Sequence, residues 1–150
     1  MAHASPILAA AVALALPLAA PSAAWEARVG AVCTLTHETE SASLRLTYDP
    51  ALPEYTITVT LKGGIWPDAP VFAMRFDGAR PNTIATDRQV LSEGGAALTV
   101  TDRGFGNVLD GLQFNEAATA FSGDTAVTVP LAGASEPVQA FRDCAPMPAV

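Results

Sequence analysis

The chain has 150 residues, half of them hydrophobic, and its fifteen acidic residues outnumber its eight basic ones to give a formal net charge of −7. This negative charge argues against nucleic acid and against an anionic lipid surface as partners, because both would repel the protein. The length fits a single domain with one hydrophobic core.

The first 24 residues contain no Lys, Arg, Asp or Glu, and every charged side chain lies from Glu26 onward. Residues 7–20 form an apolar run and small residues follow at 22–24, which is the pattern of a secretory signal peptide. We therefore predict a signal peptide over residues 1–24, cleavage before Trp25, and a single β-rich domain over residues 25–150 that is periplasmic or secreted.

The alternative is an uncleaved membrane anchor, because only His3 and the terminal amine supply positive charge before the apolar run. Pro17 interrupts that run, which is already shorter than the roughly 20 residues needed to span a bilayer. We expect cleavage and no stable membrane insertion afterwards.

The mature chain contains two cysteines, Cys33 near its start and Cys144 near its end. Export places both in an oxidising compartment, so we predict that they form a disulfide. Closing so long a loop stabilises a fold by about 4 to 5 kcal/mol in the chain-entropy model. Its role would be structural, since the chain has no Cys-x-x-Cys pair; two free buried thiols are the alternative.

Apolar and polar side chains alternate with period two in several segments, as in strands with one face in the core. Turn residues rich in Gly, Asp and Pro separate these segments, and long helical patterns do not alternate with them. The expected fold is mainly β, an antiparallel sandwich or barrel-like sheet with one or two short helices in the C-terminal half. The predicted strands are residues 31–35, 44–48, 55–61, 72–76 and 127–131.

Two segments show helical spacing instead. Apolar residues fall at i, i+3, i+4 and i+7 from Phe105 to Leu112, and Asp102 is positioned to cap this predicted helix. Near the end, Ser135 is expected to cap a second helix that begins Glu136-Pro137 and places Val138 and Phe141 on one face. This second helix would bring Cys144 to Cys33.

The second half of the chain carries a resemblance in four segments: Ala97-Leu98-Thr99-Val100, Gly104-Phe105-Gly106-Asn107-Val108-Leu109, Val127-Thr128-Val129-Pro130-Leu131 and Ala140-Phe141-Arg142-Asp143-Cys144. In their order these segments resemble the small exported bacterial proteins grouped as invasion-associated locus B proteins. The resemblance covers under half of the mature chain. It implies an exported β-rich fold and no established catalytic residues, and an uncharacterised exported family is the alternative.

No residue pattern predicts a catalytic site, a metal site or a bound cofactor. His37 beside Glu38 and Glu40 offers two metal ligands, but zinc sites usually need three or four, so a solvated histidine is the favoured interpretation. Asp102 and Asp110 would suit an acid and base pair only at a defined separation, and solvated carboxylates are the simpler interpretation.

One loop, residues 63–70, invites a functional interpretation because Pro67 and Pro70 stiffen it around Trp66 and Asp68. A rigid aromatic is a typical interface anchor; the favoured alternative is that Trp66 folds back and covers the end of the sheet. We expect a non-catalytic exported protein that binds an unidentified protein or envelope partner. The alternatives are a small periplasmic enzyme with an unrecognised site and a structural envelope component, and a pocket with convergent titratable groups would favour the enzyme.

Overall fold

The structure is a computed structural model that describes residues 2–16 and 24–144. Residues 2–16 adopt neither helix nor strand, and the small residues Ser22 and Ala23 of the predicted cleavage site lie outside the described residues. Within the two described ranges, no helix is both long enough and apolar enough to cross a membrane.

In residues 24–144, ten strands form two antiparallel sheets that do not close into a barrel, so the prediction of a mainly β fold is confirmed. The large sheet contains β1 (Glu26–Arg28), β2 (Cys33–Glu38), β3 (Ala42–Asp49), β4 (Glu54–Leu61), β7 (Val90–Ser92) and β8 (Ala97–Asp102). Their spatial order is β1-β2-β3-β4-β8-β7.

The small sheet contains β5 (Phe72–Gly78), β6 (Asn82–Thr86), β9 (Asn115–Ser122) and β10 (Thr125–Pro130), in the order β10-β9-β5-β6. A 3₁₀ turn spans Glu93–Gly95, and two helices complete the fold, α1 (Gly106–Phe114) and α2 (Ser135–Arg142). The helices pack against each other, α1 also against β9 and α2 also against β1 and β2.

The inner face of the large sheet is built from rows of apolar side chains that stand opposite one another across the strands. One row contains Leu35, Leu46, Ile57 and Val100 on β2, β3, β4 and β8. All four are buried, and each such side chain stabilises the fold by about 1.5 to 3 kcal/mol. The period-two pattern therefore places the core on one face of the sheet.

The outer face of the same sheet is rich in threonine. Thr47 stands opposite Thr56, and Thr58 opposite Thr99, with 2.8 Å between the hydroxyl oxygens of the second pair. β-Branched side chains suit a pleated surface, and cross-strand hydroxyl pairs add to strand pairing. These threonines explain why the strands remain well formed on the side away from the core.

The predicted disulfide between Cys33 and Cys144 is present, with 6.4 Å between the two Cα atoms. Cys33 is the first residue of β2 and is fully buried. Ala31 is exposed and precedes the strand, so the predicted start at residue 31 is wrong. α2 ends at Arg142 and brings Cys144 to the start of β2, as expected.

Both predicted helices form, but neither predicted cap is used. The Asp102 carboxylate accepts the backbone N–H of Arg103 at 2.7 Å, and Phe105 occupies the N-cap position of α1 with no side-chain hydrogen bond. Ser135 is the first residue of α2, and Ala134 stands at its N-cap. A turn in which Ala134 N–H donates to the Leu131 carbonyl buries Ala134, and this places the helix start one residue earlier than predicted.

Loss of the disulfide should lower stability strongly, because the bridge joins the first long strand to the segment after the last helix. We expect Cys33→Ser to lower the melting temperature by roughly 10 °C or more. The double variant Cys33→Ser/Cys144→Ser and the reduced wild type should melt at the same lower temperature. Equal melting of oxidised and reduced wild type would contradict a stabilising bridge.

Gly111 of α1 should not tolerate a methyl group. A Cβ built there falls inside van der Waals contact of the Phe76 ring, which is fully buried and has little room to move. We expect Gly111→Ala to destabilise the fold by about 1 to 3 kcal/mol through overpacking, although alanine is the better helix former by about 1 kcal/mol. Urea unfolding measures this difference.

Gly106→Ala is the matched control on the same helix, because nothing lies within 4 Å of a Cβ at that position. This variant should be neutral or slightly more stable than wild type. Equal effects of the two substitutions would show that the contact with Phe76 does not restrict the helix.

Candidate functional site

A cavity of about 560 Å³ lies between the two sheets. The large sheet contributes Ile57 and Val100 to its walls, and the small sheet contributes Phe72, Met74 and Ile84. The cavity opens at the seam between β6, an edge strand of the small sheet, and β8 of the large sheet. Its volume falls in the range of about 300 to 1,000 Å³ that is usual for small-molecule sites.

The walls of this cavity are apolar and firmly held. Ile84 is half-buried and Ala85 at the rim is exposed, whereas the larger apolar side chains of the other elements are at most 8% exposed. They belong to β4, β5, β8 and the start of α1: Ile57, Phe72, Met74, Val100, Phe105 and Val108. Strands and a helix therefore position these side chains.

The mouth of the cavity is polar. Arg88 and Asp102 face each other there, with 4.0 Å between the Arg88 Nη1 and the Asp102 Oδ1 atoms. Both side chains are more than half exposed, and an exposed ion pair of this kind contributes at most about 1 kcal/mol. The Arg88 guanidinium therefore retains most of its capacity to bind another group.

The first turn of α1 also lies at the mouth, through Gly106 and Asn107. The first intrahelical hydrogen bond runs from the Leu109 N–H to the Phe105 carbonyl, so earlier N–H groups of the turn have no partner within the helix. Gly104 and Gly106 leave the surrounding space open, because a Cβ at either position would meet nothing within 4 Å. The backbone is therefore accessible from the cavity mouth.

Trp66 is 2% exposed, which agrees with the alternative that it folds back onto the sheet and not with an exposed anchor. Its indole Nε1 donates to the Val59 carbonyl at 3.0 Å, and its ring stands edge-on to Phe72 with 6.0 Å between ring centroids. This burial removes Trp66 as a direct contact for a partner. A buried indole with its N–H satisfied is a core residue.

The rest of the loop remains at the surface. Asp68 and Pro70 are exposed, and Pro67 is half-buried. Together with Asp87, Gln89 and other neighbours they line a second depression of about 550 Å³. A role for Pro67, Asp68 and Pro70 in binding a partner stays a prediction.

His37 stacks on Trp25, with 4.4 Å between ring centroids and 5° between the ring planes. Burial lowers the pKa of His37, although a backbone hydrogen bond with Ala24 acts in the opposite direction. Glu38 pairs with Lys62 at 3.5 Å and Glu40 is exposed. In the described part of the chain, no group of three or more His, Cys, Asp or Glu side chains is arranged to hold a metal ion.

The two carboxylates considered as an acid and base pair have different partners. Asp110 on α1 forms an ion pair with Arg142 on α2, whereas Asp102 faces Arg88 at the cavity mouth. Each carboxylate is thus matched with a cation of its own. Asp102 therefore belongs to the candidate site as one half of the charged pair at its rim, and not as the partner of Asp110.

Arg88 was not predicted as a site residue, because it lies between β6 and β7, two strands that the alternation pattern did not reveal. β6 has the sequence Asn-Thr-Ile-Ala-Thr, with Ile84 as its single large apolar residue. A strand with one large apolar residue has no recognisable period.

Comparison of the chain with protein-family models, with curated proteins and with solved structures found no match.

Stability should depend on the protonation of His37, the only histidine after the predicted leader. Its pKa is lowered in the fold, so the unfolded chain binds a proton more readily. This contribution is fully present above the ordinary pKa of about 6.5 and is lost as the pH falls from there through the lowered pKa of the folded state. We expect the free energy of unfolding to drop between pH 7.5 and pH 5, and to drop less in His37→Gln.

Urea unfolding at several pH values measures this dependence, with the melting temperature as a second readout. Parallel pH profiles for wild type and His37→Gln would contradict a burial penalty on the charged ring.

Proposed function

We propose that this chain is an exported, non-catalytic binding protein that takes up a small apolar or amphipathic molecule between its two sheets. The observation that carries the proposal is the cavity of about 560 Å³ with apolar walls and a polar mouth. The space is half open to solvent, and its volume and its largely apolar base fall within the range of small-molecule sites.

The energetics of the walls favour uptake. Each Å² of apolar surface that a ligand removes from water contributes about 25 cal/mol of favourable binding free energy. Side chains that are already held by strands lose little conformational entropy when the ligand binds. Phe72 and Met74 face Ile57 and Val100 from opposite sheets, so a bound molecule would be covered on two sides. Such enclosure is typical of carrier proteins.

Export remains part of the proposal. The apolar leader with small residues before Trp25 supports it, as does the disulfide between Cys33 and Cys144, which suits an oxidising compartment. The resemblance to the invasion-associated locus B proteins implies the same destination. A binding protein outside the cytoplasm also benefits from a covalent link between the two ends of its fold.

The enzyme alternative has less support at this site. Catalysis calls for several titratable or nucleophilic groups that converge on one point. Among the lining residues of the cavity, Arg88 and Asp102 carry charge, and they face each other. A shaped apolar space with one charged pair at its rim is suited to holding a molecule.

A neutral fluorescent probe, N-phenyl-1-naphthylamine, tests the proposal directly. We expect the purified wild type to bind it with micromolar affinity and increased fluorescence. Ile84→Trp fills the cavity from a half-buried edge-strand position and should weaken binding by at least about tenfold, which corresponds to 1.4 kcal/mol. Val90→Trp is the matched control, since Val90 lies on an exposed edge strand and does not line the cavity.

Circular dichroism and melting temperature establish that each variant is folded. If Ile84→Trp does not fold, Thr86→Trp takes its place, because Thr86 lies on the same face of β6 as Ile84, is half-buried and also lines the cavity. No binding by the wild type, or equal binding by the cavity variant and Val90→Trp, would overturn the proposal.

A further inference from the structure

We propose that the ligand is an amphipathic monoanion, with its apolar part between the sheets and a carboxylate at the mouth on Arg88 and the first turn of α1. This inference rests on the proposed function, because it assigns the head group of the molecule that the cavity would hold. It identifies Arg88 as the residue that selects the charge of the ligand.

Arg88 is placed to bind such a head group. Its guanidinium lines the mouth of the cavity, and its backbone N–H donates to the Thr86 hydroxyl at 3.1 Å, which fixes the turn that carries it. The side chain is 70% exposed and its ion partner lies at 4.0 Å. A planar guanidinium binds a carboxylate through two parallel hydrogen bonds. Because Asp102 lies 4.0 Å away, beyond hydrogen-bond distance, the N–H donors of Arg88 are available for such a pair.

The start of α1 adds donors on the same side of the mouth. The N-cap residue Phe105 supplies no side-chain hydrogen bond, and no acidic residue lies in the first turn to offset the positive end of the helix dipole. Asn107 and Gly106 line the mouth, and the space at Gly106 is open. A head group held by Arg88 thus lies near further N–H donors as well as near the Asp102 carboxylate.

The Asp102 carboxylate affects whether the mouth favours a head group with one negative charge or with two. Its Oδ1 already accepts the Arg103 N–H at 2.7 Å and faces Arg88 at 4.0 Å. A dianion such as a phosphate monoester would be repelled by this carboxylate more strongly than a carboxylate ligand. A cationic head group would face the Arg88 guanidinium and the positive end of α1, so the rim as a whole favours a monoanion.

Competition against bound N-phenyl-1-naphthylamine tests this assignment with ligands that share one apolar chain. The ligands are dodecanoate, dodecanol, dodecylamine and dodecyl phosphate, at pH 8 and below their micelle concentrations. We expect dodecanoate to bind the wild type about tenfold more tightly than dodecanol, the size of one charged hydrogen bond. This preference should decrease as salt is added.

Three variants separate the roles of the charged residues. Arg88→Gln should bind dodecanoate about tenfold more weakly and dodecanol unchanged, whereas Arg103→Gln, an exposed arginine that does not line the cavity, should behave as wild type. Asp102→Asn should bind dodecanoate several-fold more tightly, because it removes a repulsive charge and its amide oxygen still accepts the Arg103 N–H. A merely destabilised protein would not gain affinity in this way.

The outcomes distinguish this inference from the proposed function. Equal affinity for dodecanoate and dodecanol, or equal effects of Arg88→Gln and Arg103→Gln, would overturn the assignment of the head group and leave uptake by the cavity intact. Tightest binding of dodecyl phosphate or of dodecylamine would replace the monoanion with another head group. If the wild type binds neither the probe nor any of the four ligands, the proposed function itself fails.

Discussion

The pairing register of the large sheet is the constraint on which the rest of the structure depends. Leu46 on β3 stands between Leu35 and Ile57, and this row continues to Val100 on β8. A slip of one residue in any of these strands would turn threonines into the core and apolar side chains into water. The two faces therefore specify one register, and that register directs Ile57 and Val100 towards the small sheet, where they become walls of the cavity.

The cavity exists because the small sheet covers the large one incompletely. β6 lies at the edge of the small sheet and turns only one large apolar side chain, Ile84, towards the interior. On the facing sheet, β8 ends in Asp102, which is exposed and polar. Neither strand fills the seam, so the space between the sheets reaches the surface there, with a charged pair at its rim.

Aromatic contacts link the cavity to the disulfide. Phe105, which lines the cavity and precedes α1, packs on Tyr55 with 5.4 Å between ring centroids, and Tyr55 lies 6.2 Å from Phe141 of α2. α2 is in turn fixed to β2 by the bond between Cys144 and Cys33. The disulfide is therefore connected to the helix entry at the cavity mouth through α2 and the Tyr55 ring.

The sequence by itself determined the features that depend on local periodicity and on chemistry that needs no partner. Alternation predicted β4 and the buried faces of β3 and β5, helical spacing predicted α1, and two cysteines after an expected leader predicted their bridge. Tertiary structure alone decided that Trp66 is buried, that Asp102 faces Arg88, and that a cavity lies between the sheets at the seam of β6 and β8. These outcomes depend on the distance between segments that are remote in the chain, which no local pattern encodes.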